Sequence, residues 1–163
     1  YYQVDGGAQH TYTGPFNVSG DARHTVTFWS VDQVGNEETV HSQAINIDAT
    51  PPGLSASANP DLLCPPYGKM VSVSLSGKIT DVLSGVDLGS GSYATVDSYG
   101  QVQPGGSFAI SADGGYSFTI QLEARRNGHD KNGRAYTITL KARDQSGNRG
   151  STSLIVTVPH DPR

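Results

Sequence analysis

Two segments of this 163-residue chain share one chemical pattern, Asp32-Gln33-Val34-Gly35-Asn36 and Asp144-Gln145-Ser146-Gly147-Asn148. An aspartate four residues before an asparagine, with glycine between, can do either of two things. Its carboxylate can accept backbone N–H bonds while glycine takes positive φ, which closes a tight turn. Alternatively, the same oxygens can join others around calcium, which takes about six to eight oxygen ligands. In the second half of the chain, Asp81, Asp87, Asp144 and Asn148 could converge on such an ion if their loops meet at one end of the fold. Because both halves carry the pattern, the turn device is the stronger reading.

A second group is basic. Residues 125–134, Arg-Arg-Asn-Gly-His-Asp-Lys-Asn-Gly-Arg, form the one cationic cluster of a chain with net charge −4. Arginine forks fit carboxylate and sulfate, so Arg125, Arg126 and Arg134 are candidates to grip an acidic polysaccharide. The competing reading is a solvated loop turning at Asp130-Lys131-Asn132-Gly133. The third candidate is Trp29, on which a sugar ring could stack. Catalytic patterns are missing: His10, His24, His41, His129 and His160 lie too far apart for ligand spacing on one element, and no serine sits in a nucleophile elbow. An enzyme is not expected. A dense basic face is absent too, which argues against nucleic acid. The lone Cys64 excludes an intrachain disulfide, and no apolar run is long enough to insert into a membrane.

The elements that must position these residues are strands. Twenty glycines, nine prolines and no apolar spacing at three and four residues predict an all-β protein rich in turns. Residues 25–31 alternate, with Val26 and Phe28 on one face and Thr25, Thr27 and Trp29 on the other. Shorter strands are expected at residues 1–4, at 11–12, around Phe16 and Val18, and at Ile45 and Ile47. Farther on, Val71, Val73, Leu75, Gly77 and Ile79 alternate, as do Tyr116, Phe118, Ile120 and Leu122, then Tyr136, Ile138, Leu140 and Ala142. Strands are also expected at residues 93–96, around Phe108 and Ile110, and at 152–158. Tyr136, ahead of the second aspartate turn, suits a buried corner tyrosine bonded to backbone.

Pro51-Pro52-Gly53 ends the first run of strands, since two prolines remove two backbone donors. The expected domains are residues 1–50, with about five short strands, and residues 51–163, with about seven. Turn signals every ten or so residues in the second are those of an immunoglobulin-like sandwich.

Several motifs then fall in order: Tyr2-Gln3-Val4-Asp5-Gly6-Gly7, Tyr12-Thr13-Gly14-Pro15-Phe16, His24-Thr25-Val26, Asp32-Gln33-Val34-Gly35-Asn36, and Ile47-Asp48-Ala49-Thr50-Pro51-Pro52. Together they resemble the C-terminal part of a bacterial Ig-like repeat. The second domain carries that repeat's serine-glycine-valine turn at Ser84-Gly85-Val86. The resemblance implies two tandem immunoglobulin-like β-sandwich modules, the first incomplete at its N-terminus, in a secreted or cell-surface bacterial protein. It implies non-catalytic work: spacing, presentation or protein contact, or else carbohydrate binding beside an extracellular hydrolase. An open edge on the first module would be met by other domains of the same parent chain or by a neighbouring copy. No cofactor is expected unless calcium binds.

Overall fold

The computed structural model describes residues 1–160. Every regular element among them is a β-strand, and every strand pairing is antiparallel. The chain divides into two compact units, Tyr1–Thr50 and Pro51–Arg163.

The first unit is one sheet in the order β1-β2-β3: β1 (Tyr2–Val4), β2 (Ala22–Phe28) and β3 (His41–Ile47). Cross-strand register places Tyr2, Phe28 and His41 in one row and Val4, Val26 and Gln43 in the next. Side chains alternate across a strand, so this face is apolar and aromatic, whereas Gln3, Arg23, Thr25, Thr27, Ser42 and Asn46 form a polar opposite face. The strands expected at residues 11–12 and around Phe16 do not form. Only His10 bridges to Tyr2, and the following segment instead lays Phe16 flat on Tyr2, with ring centroids 4.0 Å apart. Stacking of these rings takes the place of a ladder that Gly14-Pro15 would break.

A small polar knot holds this sheet. Asp5, at the positive φ of 52°, accepts the Thr25 N–H at 2.8 Å and pairs with His24 Nδ1 at 2.7 Å. His24 Nε2 reaches the Gly20 carbonyl at 3.0 Å. An imidazolium can donate both bonds, and the Asp5 hydrogen bond, then the Gly20 carbonyl, raise the His24 pKa. The His24 hydrogen bond in turn lowers Asp5. The histidine's contribution is therefore complete below its unfolded value, about 6.5, and is lost as pH rises through its raised folded value. That of Asp5 is present above about pH 3.9 and is lost as pH falls through its lowered folded value. The first unit is expected to melt highest in the mildly acidic window between. Trp29, the one tryptophan, reports this by fluorescence. A melting temperature flat from pH 5 to 8, or one unchanged by His24→Gln, contradicts it.

The second unit holds two sheets. One is β11-β10-β7-β8, from β7 (Ser92–Asp97), β8 (Gly105–Ser107), β10 (Arg134–Arg143) and β11 (Arg149–Val158). In the other, β6 (Met70–Thr80) pairs with β9 (Gly115–Glu123) along one edge and with the short β4 (Gly53–Leu54) and β5 (Ser57–Asn59) along the other. After β5 the chain crosses sheets, so that Leu62 lies parallel to Thr157 of β11. Val73, Leu75 and Ile79 of β6 and Tyr116, Ile120 and Leu122 of β9 meet Tyr136, Ile138, Leu140, Val156 and Val158 in one core. This is a sandwich-like arrangement, with the alternating runs of the sequence supplying the two inner faces. Phe108 and Ile110 are buried in that core but belong to no strand. The pairing segment is Gly105–Ser107 just before them; a last backbone bond runs from Phe108 N–H to the Gly91 carbonyl at 3.0 Å, and the side chains of Phe108 and Ile110 are buried in the core.

All members of the core cluster lie in the second unit; in the first, Val26 is the one buried hydrophobic side chain among the described residues. Burying a large apolar side chain is worth about 1.5–3 kcal/mol. The first unit therefore draws little stability from an interior of its own.

Candidate functional site

The aspartate turns have one geometry. In the first, Asp32 Oδ1 accepts the N–H groups of Val34 and Asn36, each at 2.9 Å, and Oδ2 accepts Asn36 Nδ2 at 2.8 Å. In the second, Asp144 accepts Asn148 N–H at 2.8 Å and Nδ2 at 2.7 Å. Gly35 and Gly147 take φ of 92° and 94°, a region costly for other residues. The Asn36 side chain, then its backbone N–H, lowers the Asp32 pKa. The two copies differ in burial: Asp32 is exposed, whereas Asp144 is 2% exposed. Asp144→Ala is accordingly expected to cost about 2 kcal/mol by leaving half-buried donors without a partner, and Asp32→Ala about 1 kcal/mol. Separate melting of each variant checks this, and equal losses would refute the role of burial.

Of the calcium candidates, Asp81 and Asp144 bring carboxylate oxygens within 4.8 Å of each other. Asp81 Oδ1 also accepts the Gly85 N–H at 2.7 Å, and Gly85 in turn accepts Gln145 N–H at 2.9 Å. This ties the serine-glycine-valine turn to the aspartate turn. Asp87 is committed elsewhere: one oxygen caps Gly89 N–H at 3.1 Å and the other lies 3.6 Å from Arg143. Asn148 spends its amide nitrogen on Asp144.

The basic loop is rearranged from expectation. Arg134 is 1% exposed, so it is not part of a surface grip. It is the first residue of β10, inward-facing like Tyr136, and forks onto Asp97 through Nε at 2.8 Å and Nη2 at 2.6 Å. Nη1 reaches Glu123 at 2.8 Å and the Arg125 carbonyl at 3.2 Å. The rings of Tyr99 and Tyr136 lie against its guanidinium, with centroids 5.0 and 4.9 Å away. Tyr136 is the buried corner tyrosine, donating to the Glu123 carbonyl at 2.8 Å, and burial pushes its pKa up to about 12. Arg126 is spent on the carbonyls of Pro159 at 3.0 Å and His160 at 2.5 Å. Arg125 remains at the exposed surface. The sequence reads residues 125–134 as loop, which hides the pairing of Arg134 with Asp97 and Glu123. Its signal was parity: Arg134 falls in register with Tyr136, Ile138, Leu140 and Ala142.

Trp29 is also placed differently. Strand β2 stops at Phe28, so alternation no longer governs the next residue, and Trp29 lines the same cavity as Val26 and Phe28. That cavity, of about 370 Å³, is walled by Tyr1, Tyr2, Tyr12, Phe16 and Phe28, with Ser30 and Glu38 at its rim. Tyr12, Phe16 and Phe28 are all exposed. Glu38 is fixed by Ser30, whose hydroxyl donates at 2.6 Å and whose N–H donates at 3.1 Å. The Ser30 hydroxyl first, and then His41, lower its pKa, so it stands there as a carboxylate. An open, aromatic, weakly polar cleft of this kind can stack a flat or ring-shaped apolar group and accept a hydrogen bond from it.

No protein-family model matches this chain, and no curated protein sequence is significantly similar to it.

Proposed function

We propose that the chain is a pair of non-catalytic, immunoglobulin-like modules of a secreted or cell-surface bacterial protein, acting in spacing, presentation and contact with a partner. The observation that carries this reading is the aromatic cleft of the first unit, the largest concentration of exposed aromatic side chains in the molecule. Its floor is the apolar face of a three-stranded sheet whose outer strand β3 pairs only with β2 among the described residues, and such faces attract a further strand or domain. The immunoglobulin-like part rests on the repeated hairpin turn, the two sheets of the second unit over one core, and the corner tyrosine. The partner is another domain of the same parent chain or a neighbouring copy.

A second reading has its own observation. Ser30 and Glu38 place an anchored carboxylate at the rim of the aromatic wall, the pairing of stacking surface and acceptor that sugar rings use. On that reading the chain is a carbohydrate-binding accessory module. Trp29 fluorescence separates the two. Under the contact reading, its emission shifts with protein concentration, the shift disappears in Phe28→Ser, and neutral polysaccharides have no effect. A saturable shift with a neutral polysaccharide, lost in Glu38→Gln, favours the sugar. If neither titration moves Trp29, the cleft holds neither a neighbouring copy nor a neutral sugar.

A further inference from the structure

A different surface, on the second unit, is built for an anion. Along β10, residues alternate between the core and the outer face of the sheet, which puts Lys141 and Arg143 outside, beyond Tyr136, Ile138, Leu140 and Ala142 inside. Register then sets Arg149 of β11 directly opposite Arg143, and Ser151 of β11 and Ser92 of β7 on either side of Lys141. The neighbouring pair Asp144 and Asn148 is hydrogen-bonded, N–H to carbonyl, at 3.1 Å. Arg143 and Arg149 therefore occupy a non-hydrogen-bonded position, where facing side chains come closest. Like charges placed so are destabilising. Yet neither Arg149 nor Lys141 forms an ion pair among the described residues, and Arg143 has only the loose, half-exposed contact with Asp87 at 3.6 Å. All three cations are exposed around a shallow pocket of about 260 Å³ that also includes Ser90 and Ser92. Ser90 is occupied, bonding the backbone of Asp87 and Arg143. The hydroxyls of Ser92 and Ser151 have no partner among the described residues.

We propose that this corner binds the carboxylate or sulfate groups of an acidic polysaccharide. Two guanidinium forks and an ammonium converge there, offset only by the loose Asp87 contact to Arg143, in a chain whose net charge is −4. An oxyanion placed between Arg143 and Arg149 would take forked hydrogen bonds from both and remove their mutual repulsion. The same face continues away from the corner as the hydroxyls of Thr139, Ser151 and Ser153, which suit a sugar chain, and ends where exposed Val96 and Ile155 flank Thr137. Three cations are too few to hold the dense phosphate run of a nucleic acid. The site is independent of the cleft that carries Trp29, so failure of either leaves the other standing.

The test is a titration of the full chain, followed by amide chemical shifts at physiological salt, with polygalacturonate, dextran sulfate, neutral dextran, inorganic sulfate and polyglutamate. Saturable shifts centred on residues 141–143 and 149–151 are expected with one or both acidic polysaccharides, and none with neutral dextran. Affinity should fall at least about tenfold in Arg143→Gln/Arg149→Gln, the loss of roughly one to two charge-assisted hydrogen bonds. Trp29→Ala and Arg125→Gln should bind as the parent does. Melting of the double variant, expected to be unchanged or raised, separates lost binding from lost folding. The proposal is overturned if neither polysaccharide binds, or if Arg125→Gln weakens binding as much as the double variant. It is overturned equally if inorganic sulfate binds as tightly, which marks a free-anion site, or if polyglutamate does, which marks an acidic peptide.

Discussion

Arg134→Ala is expected to destabilise the second unit by about 3–5 kcal/mol, the usual cost of removing one partner from a buried ion pair. For a unit of this size that is a fall in Tm of roughly 10–20 °C. The loss arises less from the missing attraction than from what remains. Asp97 is 4% exposed, and without the guanidinium its carboxylate is left desolvated and without its counter-ion. Asp97 also accepts the N–H groups of Tyr99, Gln101 and Val102 at 3.0, 2.9 and 2.9 Å, so the same residue shapes the turn after β7. Burial alone would raise its pKa. The Arg134 fork, with those N–H groups, outweighs burial and holds the carboxyl well below the usual range. A carboxyl depressed in the folded state adds stability above its unfolded value, about 3.9, and that stability is lost as pH falls through the folded value. Parent protein should therefore lose stability steeply below about pH 4, and Arg134→Ala much less steeply, because the linkage term has gone. Calorimetry from pH 2 to 7 on both proteins checks the sign. Replacing Arg134, Asp97 and Glu123 together with apolar residues should recover only part of the loss, since no orphan charge then remains but the N–H groups of Tyr99, Gln101 and Val102 lose their acceptor.

Gly77→Ala is the second large effect, expected to cost about 3 kcal/mol. Gly77 lies within β6, where a side chain would ordinarily be harmless. Here Ser55 crosses directly over it, and the Tyr116 hydroxyl donates to the Ser55 carbonyl at 2.6 Å in the same space. A Cβ on Gly77 would come within 2.5 Å of that hydroxyl and closer still to the carbonyl, distances real Cβ atoms do not reach. Either the chain between β4 and β5 lifts from β6 or the hydrogen bond breaks. Urea unfolding should show the full loss in Gly77→Ala, while Tyr116→Phe, which removes only the hydroxyl, should cost about 1 kcal/mol. Near-neutral behaviour of Gly77→Ala would show that this edge yields freely.

Gly77 also illustrates what was readable in the sequence. Its place in the run from Val71 to Ile79 announces a strand, and β6 spans Met70–Thr80, but nothing local says that another segment crosses it. Strand positions follow from alternation, a property of neighbours. Close approaches and ion pairs depend on residues tens of positions away, as Asp97 and Arg134 are. The same limit explains Trp29. Its parity is correct for a continuing strand, but β2 ends one residue earlier, and the ring turns into the cleft beside Phe28. Tyr1, Tyr2, Tyr12 and Phe16 are visible as aromatics, yet their ring contacts, Phe16 on Tyr2, Tyr12 on Phe16 and Tyr1 on Trp29, form only in the fold. Lys141 and Arg143 are plain in the sequence as outward residues of an alternating strand, while their pairing with Arg149 depends on the length of the aspartate turn. That turn was the most legible feature of all, because its hydrogen bonds stay within five residues.

The central claim is that the second unit is a self-supporting scaffold, whereas the first carries an open apolar face that a partner covers. Residue-resolved hydrogen exchange on the isolated monomer tests it most directly. Amides of β6, β9, β10 and β11 should exchange only through global unfolding, and those of β1, β2 and β3 at least ~100-fold faster, through local opening. Protection of β2 equal to that of β10 would contradict the account, because the first sheet would then need no partner to be stable.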